Sequence, residues 1–224
     1  MDAGAHYLDL NTGPGRDDAP AAMAWLVKTV QDVVDVKLSL DSPSLKAQQA
    51  GIAECRREPM INSTTAEKKR MEKFYPLARD HNAEIVCLTI DEKGIPNTVE
   101  GKTELAMLHL ATAMDHGISP EKIYLDPVVL PISAAQAQCP VLCEAITTFR
   151  TLNTPPPKTI VGLSNVSSGA EEKSLLNRTY LAMLLGRGLD AAIVDPNDGE
   201  LMKVVKATEV LLNQRLYAHS FLRA

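Results

Sequence analysis

Side chains that accept and donate hydrogen bonds recur at one kind of place in this sequence. Short apolar runs end in Asp9 and Asn11, in Asp41 and Ser42, in Asn62 and Ser63, in Asp126, in Ser164 and Asn165, and in Asp195 and Asn197. A carboxylate accepts hydrogen bonds side by side and an amide both donates and accepts, so such a set can grip a small polar molecule. Any one of these residues reads equally well as a helix N-cap. Six of seven strand ends with an Asp or Asn at the same place favour a shared function over capping. The stretch TIVGLSNVSSG, residues 159–169, is the sharpest case. Packing does not explain why a buried strand should empty straight into Ser164, Asn165, Ser167 and Ser168.

The elements that must position these residues are legible from periodicity. Short β-branched or apolar runs predict strands at residues 6–10, 36–40, 59–61, 85–90, 123–125, 159–163 and 191–194. Helical stretches separate them. APAAMAWLVKTVQDVV places Met23, Leu26, Val27, Val30 and Val33 at amphipathic spacing. GKTELAMLHLATAMDHG closes on Gly117, a good C-cap residue. In SAAQAQCPVLCEAITTFRTL, Pro140 either starts the main helix or kinks its beginning. Strand–helix alternation of this kind is the mark of a parallel α/β sheet, here in one domain over residues 1–224. In a (βα)8 barrel all such strand ends meet at one face, where active sites sit. No strand is followed by a G-x-G-x-x-G loop, and LNTGPG reads as a turn, so a dinucleotide-binding domain is disfavoured.

Composition narrows the class further. The chain has 224 residues, 45% of them hydrophobic and 23% charged, enough for a sizeable core. A net charge of −5 with interspersed signs argues against nucleic-acid binding. No apolar run reaches the ~18 residues of a membrane span, and the N-terminus shows no signal peptide. Cys55, Cys87, Cys139 and Cys143 read as free thiols, which places the protein in the cytoplasm. Cys139 and Cys143 lack companions for a metal site, and the five histidines show no zinc spacing, so no metal is expected. His6, in the first strand, and the others are given no catalytic role. The single Trp25 reads as a core or interface residue.

Five motifs, YLDLNTGPG, LDSPS, MINST, YLDP and GLSNVSSG, occur in the order and approximate spacing of the pterin-binding methyltransferases. The chain most resembles the methyltetrahydrofolate:corrinoid protein methyltransferases over nearly all its length, from Ala3 to about Phe221. More distant likenesses are the folate domain of cobalamin-dependent methionine synthase and dihydropteroate synthase. The resemblance implies a TIM-type (βα)8 barrel. Only seven strands are counted here, so the family's first strand and most of its first helix would precede Met1, with MDAGA as that helix's end.

The resemblance also implies roles. Asp41, Asn62 and Asp126 hold the pterin ring, and Asn165 faces N5, the nitrogen that gives up the methyl group. Asp9 and Asn11 support site residues through hydrogen bonds, Ser164 and Ser167 are supporting groups or turn formers, and Asp195 is a weaker site candidate that could cap the last helix. Lys173 stands where relatives carry an arginine after SNVS. It keeps the charge without the planar fork, and could meet the folate tail or the partner, or be a solvated surface residue. The implied function is methyl transfer between N5 of tetrahydrofolate and the cobalt of a corrinoid carried by a separate protein, since no D-x-H-x-x-G corrinoid motif is present. A homodimer is implied as well. The rivals are a dihydropteroate synthase-like enzyme, which wants a basic residue where this chain reads SNVS, and a non-catalytic folate-binding module or fragment.

Overall fold

The computed structural model describes residues 4–13 and 18–218. Most of MDAGA, the Pro-Gly of LNTGPG, His219 and the end of the last helical stretch lie outside the described residues. Seven strands alternate with helices: β1 (Tyr7–Asn11), β2 (Lys37–Asp41), β3 (Met60–Thr65), β4 (Glu84–Leu88), β5 (Ile123–Asp126), β6 (Lys158–Gly162) and β7 (Ala191–Ile193). All pair in parallel, in the order β1-β2-β3-β4-β5-β6-β7, as a nearly closed TIM-like barrel. The helices are α1 (Ala19–Gln31), α2 (Leu45–Ile52), α3 (Lys68–Asp80), α4 (Val99–Asp115), α5 (Ile132–Ala135), α6 (Gln138–Phe149), α7 (Lys173–Leu185) and α8 (Gly199–Leu211).

Local chemistry sets the helix ends. Ser44 accepts from Ala47 N at 3.3 Å to open α2, and Thr98 accepts from Gly101 N at 3.1 Å to open α4. Gly117 follows α4 with φ +82°, the left-handed conformation that ends a helix cleanly. Asp198 accepts from Leu201 N at 3.0 Å and caps α8, so the last helix is capped by Asp198 and not by Asp195. The single helix expected around Pro140 is two, α5 and α6, and Pro140 sits in the first turn of α6, where its missing N–H costs nothing.

Two strand boundaries differ from the sequence expectation in a useful way. β3 continues through Asn62 and Ser63 to Thr65, with a register shift between Ile61 and Thr64 against β4. The shift is local, and Asn62 stays opposite Asp41. β4 starts at Glu84 and ends at Leu88, releasing Thr89 and Ile90. His6 lies just outside β1.

Alternation along the strands divides the side chains between two cores. Leu10, Leu40, Ile61, Ile85 and Leu125 face the helices and pack in one cluster with Met23, Val27 and Phe149. Met60, Val86, Tyr124 and Ile160 form a separate buried cluster, bordered by Tyr7, Leu88, Ala191 and Ile193, which fills the barrel's middle. Below it lies a charged floor. The buried Glu84 takes a hydrogen bond from Tyr7 Oη and stands 3.6 Å from Lys37 Nζ and 3.3 Å from Lys158 Nζ. Burial alone would raise the Glu84 pKa, but Tyr7 and the two lysines outweigh it and hold the carboxyl below its usual range. Trp25 is 65% exposed on α1, which removes it from the core.

Candidate active site

The opposite end of the same inward-facing rows is the polar mouth. In-register pairing sets Asn11 opposite Asp41 and Asp41 opposite Asn62, so three adjacent strands present a polar inward residue side by side. Each of the three is held by a side-chain hydrogen bond. Asn11 Nδ2 donates to Asp41 Oδ2 at 2.6 Å. One layer down, Asp9 Oδ1 accepts from Ser39 Oγ at 2.6 Å and from Asn62 Nδ2 at 3.1 Å. Asp9 and Asn11 therefore each grip one of the residues expected to hold the ring. Burial raises the Asp41 pKa, with the Asn11 bond working against it and the Asp9 charge adding to it.

Across the mouth stands Asp126, at the end of β5 and 8% exposed. It is held by its own turn: Oδ1 accepts from Val128 N at 2.7 Å, while its carbonyl accepts from Thr89 N at 3.0 Å and Thr89 Oγ1 at 3.2 Å. Val128 sits at φ +65°, a conformation that a β-branched residue adopts only when its surroundings impose it. Burial pushes the Asp126 carboxyl up to about 7, partly countered by the Val128 N–H and by Lys102. The turn expected of Asp126 is present, with Oδ1 serving it at the end of β5.

Asn165 lies on a 3-10 turn, Leu163–Ser167, directly after β6. Its side chain is exposed and makes no hydrogen bond to the described residues. Gly162, the last residue of β6, leaves the room it occupies, since a β-carbon there would stand 3.2 Å from Asn165 Nδ2. Ser164 is also exposed, and its carbonyl accepts from Ser167 Oγ at 3.2 Å, a turn-forming bond. Lys173 is exposed as the first residue of α7. Asp195 is exposed beyond β7 and accepts from Asn197 N at 2.9 Å within its own loop.

Several residues that shape this mouth carry no signal in the strand-end pattern. Gln48, fully buried on α2, donates through Nε2 to the carbonyls of Leu40 at 2.6 Å and of Ser42 and Asn62 at 3.1 Å. It ties the ends of β2 and β3 together. Arg70 spans the loops beyond them, from Nη1 to Pro43 O at 3.0 Å and from Nη2 to Ser63 O at 2.8 Å. Lys102, fully buried on α4, donates to Pro127 O at 2.8 Å. The one available clue was a polar residue on an otherwise buried helix face. Among the described residues no three His, Cys, Asp or Glu side chains gather as a metal ion needs, and no helix is long and apolar enough to cross a membrane.

A parallel barrel with carboxylates and amides ringing the C-terminal ends of its strands is the architecture of a small-molecule enzyme. The family model described as pterin binding enzyme matches residues 1–195. The chain is 32% identical over 218 residues to the methylcorrinoid:tetrahydrofolate methyltransferase of Eubacterium limosum, covering 96% of this chain and 80% of that one. It is also 32% identical over 203 residues to the methionine synthase of Mycobacterium leprae, covering 85% of this chain and 17% of that much longer protein. Among solved structures, the dihydropteroate synthase of Thermus thermophilus superposes with a TM-score of 0.73 at 17% identity, over 96% of this chain and 85% of that one. The dihydropteroate synthase of Yersinia pestis with a pterine–sulfa conjugate gives 0.72 at 14%, over 95% and 85%. At such identities these structures speak for the fold alone. The chain belongs to the pterin-binding enzymes and, by its named relatives, is a methyltransferase.

Proposed function

We propose that this methyltransferase moves a methyl group between N5 of tetrahydrofolate and the cobalt of a corrinoid carried by a separate protein. The observation that carries the reading is the 32% identity, over 96% of the chain, to a methylcorrinoid:tetrahydrofolate methyltransferase. The mouth supplies matching chemistry. A reduced pterin presents a ring N–H beside an exocyclic amino group, and the Asp126 carboxylate accepts both. Asp41 and Asn62, tied to Asn11 and Asp9, hold the ring from the opposite wall.

As the methyl carbon leaves N5 for cobalt, the bond's electron pair stays on nitrogen, which takes up a proton. Asn165 donates to N5 as that charge develops, and its amide serves the nitrogen in either protonation state. An amide is no acid, so the proton comes from water or from the carboxylate network, where the Asp41 pKa is already raised. The synthase reading needs a cation where this chain carries Ser164, Asn165 and Ser167, and is disfavoured on that ground. The reading extends to a cytoplasmic enzyme, with a corrinoid protein docking over the mouth near Lys173. It extends also to a homodimer joined through late helices, on which Leu175 and Met183 are about half exposed.

The test is a titration of the chain with methyltetrahydrofolate, followed by addition of a Co(I) corrinoid protein whose visible spectrum reports methylation. Asn165→Ala should lower transfer ~10²–10³-fold while binding stays within a few-fold. Asp126→Ala should lose binding. Folate binding without transfer by the wild-type chain would leave only a binding module, and an Asn165→Ala rate within a few-fold of the parent would remove Asn165 from the mechanism.

A further inference from the structure

We propose that Lys102, reaching from behind the sheet, is the positioning residue that holds the Asp126 carboxylate in place and in its anionic form for the pterin ring. The inference rests on the reading of Asp126 as a ring-binding residue. Its basis is where a buried charge has been put. Lys102 is 0% exposed, on the α4 face that also buries Ala106, His109 and Leu110. Among the described residues its one hydrogen bond goes to the Pro127 carbonyl at 2.8 Å, and none of their carboxylates lies within ion-pair distance. A neutral donor would satisfy a carbonyl at far smaller desolvation cost. What the ammonium adds is a positive charge one residue away from the carboxyl at the barrel mouth.

The turn between them is built to transmit position as well as charge. Asp126 Oδ1 takes the Val128 N–H, Val128 is held at φ +65°, and the carbonyl between them is the one Lys102 grips. Thr89 fixes the Asp126 carbonyl from the neighbouring strand end. Lys102 is the charged group that acts on Asp126. The other titratable side chain from α4 at this level is His109, bonded to Tyr75 Oη at 2.6 Å and to Leu88 O at 2.9 Å. Burial lowers the His109 pKa to about 4, so it brings no charge. Burial likewise lowers Lys102 to about 8, partly countered by Asp126, so the lysine is a cation at neutral pH and loses its proton not far above it.

The experiment is the pH dependence of methyltetrahydrofolate affinity, measured by calorimetry between pH 6 and 9.5, for wild type, Lys102→Met and Asp126→Asn. In the wild type, affinity should fall as pH drops through about 7, where Asp126 takes up its proton. Lys102→Met should move that midpoint upward by about one pH unit, giving roughly fivefold weaker binding near pH 7 and approaching tenfold near pH 6. Above pH 9 the two proteins should converge, because Lys102 itself has then shed its charge. A loss of affinity that is equal at every pH, or a midpoint that does not move, would mean the lysine is structural only. If Asp126→Asn binds like wild type with the same pH profile, the reading of Asp126 fails and this proposal with it; if the wild type does not bind at all, the folate reading fails for the whole mouth. A second measurement is independent of ligand and of the Lys102 variant's folding. In ¹³C-lysine NMR of the wild type, one buried lysine should titrate near pH 8, and its midpoint should fall in Asp126→Asn; an unmoved midpoint overturns the coupling.

Discussion

A β-carbon on Gly162 would lie 3.2 Å from the Nδ2 of Asn165. The last residue of β6 thus leaves room for the side chain three positions later. The Gly162 backbone, at φ −80°, makes no demand for glycine, so the reason is room and not conformation. Gly162→Ala should fold normally, since Asn165 is exposed and can move outward. If Asn165 acts at N5 as proposed, transfer should nevertheless drop roughly tenfold, with folate affinity nearly unchanged, because a displacement of tenths of an ångström misplaces the amide. Single-turnover kinetics beside a thermal melt would check both halves.

Burial makes the Asp126 carboxyl a pH-dependent contributor to stability. Its folded pKa of about 7 lies above the ordinary 3.8, so the folded state holds this proton more tightly than the unfolded state. The resulting contribution to stability is complete below about pH 4 and is lost as pH rises through 7. Asp126→Asn keeps an oxygen for the Val128 N–H and removes the titration. At pH 8 the variant should be more stable than wild type by on the order of 3 kcal/mol. The gain should vanish near pH 4, as denaturant melts at the two pH values would show.

Gln48 is the strap across the ends of β2 and β3. Gln48→Met keeps the volume and removes the donor shared by the carbonyls of Leu40, Ser42 and Asn62, the last of which keeps the Ser42 N–H. Its cost should be about 1–3 kcal/mol in urea unfolding. Because Asp41 and Asn62 sit on the loosened ends, KM for methyltetrahydrofolate should rise more than kcat falls.

At the floor, Glu84→Gln should destabilise the barrel by ~1–2 kcal/mol at pH 7, a modest figure because Lys37 and Lys158 are partly open to solvent and to screening. The Glu84 pKa is depressed, so its contribution is present above the ordinary 4.5 and fades as pH falls through the folded value. The variant and the parent should therefore converge in acid, below the ordinary 4.5. Activity per folded molecule should be unaltered, since the floor lies two layers from the mouth.

The parallel strand–helix alternation and the polar strand ends were readable from sequence because both follow from a period, whereas closure into a barrel came from the family resemblance. Apolar runs of three to six residues announce β1 to β7, and among the polar residues that end six of them, in-register pairing brings Asn11, Asp41 and Asn62 side by side. Asp198 in place of Asp195 at the α8 cap shows the limit of that logic: several oxygen-bearing side chains in PNDG compete, and only backbone geometry chooses. The extension of β3 through Asn62 and Ser63 was hidden for a similar reason, since Asn-Ser-Thr reads as loop until β4 pairs with it again at Thr64. Gln48, Arg70 and Lys102 were missed because their partners are main-chain carbonyls distant in sequence, and no spacing rule encodes an acceptor that every residue carries.

The strands' inward rows place Glu84 and its lysines at one end, an apolar plug of Met60, Val86 and Ile160 in the middle, and Asp41, Asn62 and Asp126 at the other. Cohesion and chemistry are thus stacked like storeys, with about two residues of strand between them. Remodelling the top storey leaves the foundations undisturbed. A scaffold so partitioned can keep its outline, as the 0.73 superposition on a synthase at 17% identity does, while its reactive groups are exchanged strand end by strand end.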